Sequence, residues 1–454
     1  MIGTQRRWLI AMAVATILGV AIRVSNAFVY PIDMGYDAGG NWDYIAMLLR
    51  SWALPAPGQG WATAHPPFFY YFAAAISRTA GWLDKPTAVH AIRLVMAASG
   101  LLGVGLAVLL VRRTDPENMR RAFFAGGLLL FLPVHIYMSA MLSEEVLVTA
   151  LISIAVVGVA LDLISPPKAG RALLRAAVFG AVAGIALLTK LTGLLVIGAG
   201  SAAYLIDGIR SDNKLAAFQR ALVFAMAALI VGGWFYLWNF LTYGYVYPHG
   251  LEVHSVMFRM PPGIRTVSDY LWIPWQTFTE PNLLSPHLLH SVWGSTYVTI
   301  WFDGHLHFLP ASGSAIAKLA VAILLLGLVP SVAFAVGVWR GARRLFGAYR
   351  GPDVVLILLV VSTLAGYVLF SWRNPWFAVL KGSFLLGLSV PFSYYASEVL
   401  ADWTRDRTLR SFVVLSCLGL LAGLVLVTFT YGFAFEKHEL PGIRWTPVET
   451  PWQG

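Results

Sequence analysis

The chain holds a single cysteine, Cys417, among its 454 residues. That excludes an intramolecular disulfide and a thiolate metal cluster. Charge is scarce too: Asp, Glu, Lys and Arg make up 12% of the chain, about half the fraction typical of a soluble domain. No Gly-rich phosphate fingerprint follows a strand pattern, so no nucleotide site is expected on the cytosolic side. Neither a 20–50-residue repeat nor an inverted symmetry between halves is present, features that many transporters carry. The net charge of +10 does not read as nucleic-acid binding, because no basic patch interleaves with aromatics.

What the chain does have is apolar length. Hydrophobic residues are 58% of the total and the mean hydropathy is +0.71, which specifies an all-α polytopic membrane protein. Runs long enough to cross a bilayer, about 17–25 residues each, lie near 8–30, 88–111, 121–139, 145–165, 172–189, 191–207, 220–242, 315–339, 353–371, 376–400 and 409–433. With eleven crossings, every basic cluster falls on the side of the N-terminus: Arg112/Arg113/Arg120/Arg121, Lys168/Arg171/Arg175, Arg210/Lys214/Arg220, Arg340/Arg343/Arg344/Arg350 and Arg405/Arg407/Arg410. The positive-inside rule then places that side in the cytoplasm of a plasma (inner) membrane protein. The first span, preceded by Arg6 and Arg7, reads as an uncleaved signal anchor. Segment 66–83 begins with two prolines and contains Arg78, which suits a helix lying at the interface. The expected organisation is a transmembrane domain over 1–433 and an outer tail over 434–454, with long outer segments 31–87 and 243–314 forming the site.

Several polar residues sit where hydrocarbon or its border makes them costly. Asp37 lies in a Gly-flanked turn, GYDAGG. Glycines there let a carboxylate approach another molecule, and a base so placed could deprotonate an attacking hydroxyl; the structural alternative is a helix cap. Asp33 and Asp43 are weaker candidates. His65 precedes Pro66-Pro67 at the start of the interfacial helix, where a phosphate could bind. Ser143-Glu144-Glu145 opens the fourth span with two acids, one more than helix capping explains; either glutamate could face the site. Lys190 stands in the TKLTG turn between two spans that leave almost no loop, a cation at the outer end. Arg373 and Lys381 repeat that anomaly. Three outer cations suggest an anionic ligand such as a lipid phosphate, against the alternative that they snorkel. Segment 243–314 carries His249, Glu252, His254, His287, His290, Asp303, His305 and His307, which leaves a divalent metal possible although the spacing matches no template.

The order of these motifs resembles the GT-C membrane glycosyltransferases: a first-loop aspartate, the HPPFFYY step, the acids at the fourth span, TKLTGLL and LKGSFLL. The nearest branch is similar to the protein O-mannosyltransferase and aminoarabinose-transferase group. That resemblance implies eleven to thirteen spans, a polyprenyl-phosphate sugar donor, a first-loop catalytic base at Asp37, and phosphate contacts from Lys190 and Lys381. The Asp-Glu pair of that family is absent here, since Ala38 follows Asp37.

The function expected is therefore inverting transfer of a hexosyl or pentosyl group from a lipid phosphate to a glycan, lipid or protein on the outer face. Asp37 and Glu144 are the expected catalytic residues; Lys190, Arg373, Lys381 and His65 are expected to hold the donor phosphate. Alternatives are a lipid-linked glycan polymerase or ligase, and a transporter or flippase of an anionic lipid or sugar.

Overall fold

The computed structural model describes residues 2–79, 84–211, 213–302, 315–406 and 408–432. Helix α1 (Ile2–Val29) leads into a loop that carries two short helices, α2 (Ala38–Ser51) and α3 (Phe68–Thr79). Helix α4 (Lys85–Thr114) starts at Asp84, whose carboxylate accepts from the Thr87 amide at 3.0 Å, with Pro86 in the first turn; both are standard helix openings. The third crossing is broken into α5 (Met119–Leu130) and α6 (Pro133–Ala140), bent by 47°. Pro133 has no amide hydrogen to continue the ladder, which accounts for the break. Then follow α7 (Glu145–Ile164), α8 (Ala169–Thr189), α9 (Gly193–Arg210), α10 (Lys214–Gly232) and α11 (Trp234–Tyr243). A long irregular segment passes through α12 (Pro286–Leu289) and α13 (Val292–Trp301). The bundle closes with α14 (Ala315–Leu345), α15 (Gly351–Arg373), α16 (Ser389–Trp403) and α17 (Leu409–Val427).

Among the described residues ten helices are long and apolar enough to cross a membrane, and eleven if α5 and α6 form one bent span. Each of the eleven overlaps one of the runs read from the sequence. The HPP helix, α3, has 12 residues and is not one of them.

The break in span three leaves backbone carbonyls open, and α1 closes them. Arg23 donates to the Leu130 carbonyl at 2.9 Å, to Leu129 at 3.0 Å and to Gly19 at 2.9 Å, and its other contact is His135 Nδ1 at 3.1 Å. In hydrocarbon no water could replace these partners. Elsewhere small residues set the packing. A Cβ at Gly180 would lie 2.2 Å from the Phe224 carbonyl, so α8 and α10 approach to backbone contact, as spans do where small residues meet.

The two ends of the bundle differ in character. At the end with the basic clusters, cations are paired: Arg344 bridges Asp353 (2.7 and 3.0 Å) and Glu398 (2.7 and 3.2 Å), and Arg175 pairs with Asp162 at 2.6 Å. The other end gathers the loop after α1, the α6–α7 and α8–α9 turns, and the segment before α16.

Candidate active site

At that second end, Asp37 occupies the residue before α2 in the left-handed region, φ 53° and ψ 19°, and makes no capping bond. Few non-glycine residues adopt this conformation, though Asp is among those that tolerate it. The helix-cap alternative therefore fails: Oδ1 instead accepts from the Trp61 indole at 2.6 Å. Trp61 is braced in turn by His254, which donates to its carbonyl at 2.7 Å and meets its ring edge-on at 4.9 Å. The loop start is pinned from α4, where buried Arg93 donates to the Tyr30 and Pro31 carbonyls at 2.6 and 2.8 Å.

Asn41 of α2 reaches the Leu142 carbonyl at 2.8 Å, which ties the element bearing Asp37 to the loop bearing Glu144. Only the amide nitrogen can donate there, so the Asn41 oxygen faces Tyr70. The Tyr70 hydroxyl donates to it at 2.9 Å. That uses the phenolic hydrogen, so the 3.0 Å contact between Tyr70 and His65 Nδ1 must be an N–H donation from the histidine. His65 Nε2 is left with the lone pair. Burial lowers the His65 pKa, opposed by Glu144 and Asp37, so at neutral pH the ring is uncharged and offers an acceptor.

Lys190 lies between α8 and α9 in extended conformation. A Cβ at Gly193 would fall 2.3 Å from the Leu187 amide nitrogen; only glycine lets this turn fold back so closely. Its ammonium sits 3.1 Å from Glu144 and 2.5 Å from Glu145. Burial lowers the lysine pKa, but the two glutamates outweigh it and raise it overall. For Glu144, burial raises the pKa, while Lys190 and then His65 bring it below the usual carboxylate range. Asp37 follows the same pattern: burial raises it, whereas Lys381, His65, the Trp61 hydrogen bond and Lys190 together lower it. Both carboxylates are ionised at neutral pH.

Lys381 is different. Its ammonium stands 4.0 Å from the Tyr36 ring centroid and 6.0 Å from Phe384, whose ring also lies 4.9 Å from Lys190. Among the described residues no carboxylate lies within 4.0 Å of it. The backbone beyond is fixed by Gly382, which donates to Thr299 Oγ1 at 2.7 Å, and Ser383 approaches Glu145 at 3.4 Å.

Five of the six expected residues thus come from separate segments to one end: Asp37, His65, Glu144, Lys190 and Lys381. Arg373 reaches the same end, but among the described residues no hydrogen bond or ion pair joins it to them. It is exposed at the end of α15, with no carboxylate in ion-pair range among the described residues. Asp33 pairs with Lys85 on the exposed rim, and Asp43 is exposed. Sequence reasoning left Glu145 as an alternative and missed Trp61, Tyr36 and the Asn41–Tyr70 pair. Nothing in sequence spacing marks a tryptophan 24 residues from Asp37 as its partner.

Solved structures share this arrangement of helices. The chain superposes on the Archaeoglobus fulgidus oligosaccharyltransferase in complex with Zn and sulfate with a TM-score of 0.55 and 16% identity, over 92% of this chain and 53% of that one. ArnT from Cupriavidus metallidurans bound to undecaprenyl phosphate gives 0.55 and 16%, over 95% of this chain and 77% of that one. The fold is the GT-C fold. The archaeal oligosaccharyltransferase AglB in complex with an inhibitory peptide and a dolichol-phosphate gives 0.53 and 14%, over 95% and 55%. The chain spans about half the length of the archaeal enzymes and about three quarters of ArnT. No family model and no curated protein sequence matches it.

The archaeal structure is a complex with Zn and sulfate. Among the described residues no three His, Cys, Asp or Glu side chains converge, and the two adjacent glutamates already close on an ammonium. Asp303, His305 and His307 fall outside the described residues.

Proposed function

We propose that the chain is an inverting glycosyltransferase that moves a sugar from a polyprenyl-phosphate donor to an acceptor on the outer face of the plasma membrane. The observation that carries this reading is Lys381, a cation with no carboxylate within 4.0 Å among the described residues, stacked on aromatic rings in a site of ionised carboxylates. An ammonium in such a setting suits an incoming phosphate.

The chemistry needs little else. The acceptor oxygen attacks the anomeric carbon, the bond from that carbon to the phosphate oxygen breaks, and its electron pair stays on the phosphate. That leaving group needs no proton; Lys381 balances the charge that grows on it. Asp37 takes the acceptor's proton on Oδ2, the oxygen not held by Trp61. Lys190 is already matched by Glu144 and Glu145, so its part is to hold both buried glutamates in place. His65, neutral with a free lone pair, suits a substrate hydroxyl better than a phosphate. In-line attack inverts the anomeric centre.

Purified protein in detergent, given a panel of polyprenyl-phosphate sugars, should release polyprenyl phosphate in step with an inverted glycoside. Sugar or lipid movement across vesicles without any glycosyl transfer would assign it to transport instead.

A further inference from the structure

Residues 264–275 are arranged inside out. Arg265 and Asp269 are 6% and 4% exposed, whereas Ile264, Leu271 and Trp275 are 75%, 77% and 66% exposed, with Val267, Trp272 and Ile273 open as well. The charges turn inward, towards each other and the backbone beneath. Arg265 donates to the Leu289 carbonyl at 2.5 Å and lies 3.9 Å from Asp269, whose carboxylate also accepts from the Thr266 amide at 3.1 Å and its hydroxyl at 3.1 Å. A loop bathed in water reverses this preference, and contiguous apolar patches of this kind mark interaction surfaces.

A second observation says what covers it. The loop is docked on the end of α15: the Tyr270 and Ser371 hydroxyls share a 2.9 Å hydrogen bond, and the Tyr270 ring lies 5.9 Å from Trp372. Here α15 is a membrane-spanning helix whose own end exposes Leu369, Phe370 and Trp372. The apolar face of the loop prolongs the lipid-facing surface of that span. Trp and other amphipathic rings are the usual residues at this depth.

The geometry points to 264–275 as a membrane-inserted loop, whose partner is the hydrocarbon of the leaflet at the site end of the bundle. It extends beyond the transferase reading and stands without it. Residues 258–261, just before the loop, are tied to the segment leading to Lys381, since the Phe377 amide donates to the Pro261 carbonyl at 2.7 Å and Phe258 meets Trp376 at 5.0 Å. The bilayer thus supports one wall of the site.

The test uses full-length protein in nanodiscs of phosphatidylethanolamine and phosphatidylglycerol, on a Cys417→Ser background. An environment-sensitive NBD label is placed at Leu271→Cys, at Ile264→Cys, and, as the polar control, at half-exposed His287→Cys, which follows the exposed Pro286. Labels at 264 and 271 should emit blue-shifted and be quenched several-fold more by doxyl-labelled acyl chains than by aqueous iodide; the label at 287 should do the reverse. Should Leu271→Cys fail to fold, Ile264→Cys decides alone. Iodide quenching at 264 and 271 equal to that at 287 would overturn the inference. So would a blue shift without acyl-chain quenching, which would mean that a second copy or another protein covers the loop.

Discussion

Replacing Lys190 by methionine removes the ammonium that separates two buried carboxylates, Glu144 at 3.1 Å and Glu145 at 2.5 Å. Breaking a buried pair from one side costs about 3–5 kcal/mol. Here the loss has a ceiling, because one glutamate can take up a proton. Relative to an ordinary glutamate at 4.5, that protonation costs about 4 kcal/mol at pH 7.5 and under about 1 kcal/mol at pH 5. Neither Lys190 nor Glu144 gives the wild type a compensating change over this window. Its Lys190 pKa is raised, so that contribution is complete below the ordinary lysine value of 10.5 and is lost only above it. Its Glu144 pKa is lowered, so that contribution is present above 4.5 and lost only as pH falls through the still lower folded value. These two groups therefore leave wild-type stability flat between pH 5 and 7.5. Thermal unfolding in detergent, followed by tryptophan fluorescence, should show Lys190→Met melting well below wild type at pH 7.5 and close to it at pH 5. Lys190→Met/Glu145→Gln should recover most of the loss at pH 7.5. An equal gap at both pH values, or none at all, would refute the account of a shared counter-ion.

Asp37→Asn keeps the shape and removes the base, so transfer should fall about 10²–10⁴-fold with the melting temperature nearly unchanged; full activity there, with loss in Glu144→Gln, would move the base to the fourth span. Trp61→Phe removes a hydrogen bond that lowers the Asp37 pKa, so the acid limb of the transfer rate against pH should move upward; an unmoved limb would detach Asp37 from the rate. In intact cells on a Cys417→Ser background, a membrane-impermeant thiol reagent should reach Ser285→Cys and Gln59→Cys but not Ala342→Cys. Labelling at 342 would invert the orientation.

The spans were legible because membrane crossing is written in length and hydropathy, and each of the eleven runs meets a helix or the bent pair. Lys190 and Lys381 were legible for the same reason, as charges where the pattern disfavours them. Their pairing was not. Glu144 and Glu145 precede Lys190 by 46 and 45 residues, and whether an acid caps its own helix or reaches another turn is decided by tertiary packing. Arg373 carried the same signal as Lys381, yet the chain turns after α15 and leaves it outside. The tautomer of His65 depends on a chain of three hydrogen bonds through Tyr70, Asn41 and Leu142. No local pattern encodes such a chain.

The clip between Arg23 and span three bears on how the molecule is made. α1 enters the bilayer before span three has been synthesised, so for that interval its arginine lacks the Leu129 and Leu130 carbonyls. Lying six residues from the end of α1, it can extend towards the headgroups meanwhile. When α5 and α6 arrive, their bend opens two carbonyls, and the waiting side chain closes them. Each partner thus carries a defect that only the other mends. A chain without α1 would lose more than one helix: its third crossing would be left with bare carbonyls in hydrocarbon. The first span, which looks in sequence like an address label, is a structural member of the bundle.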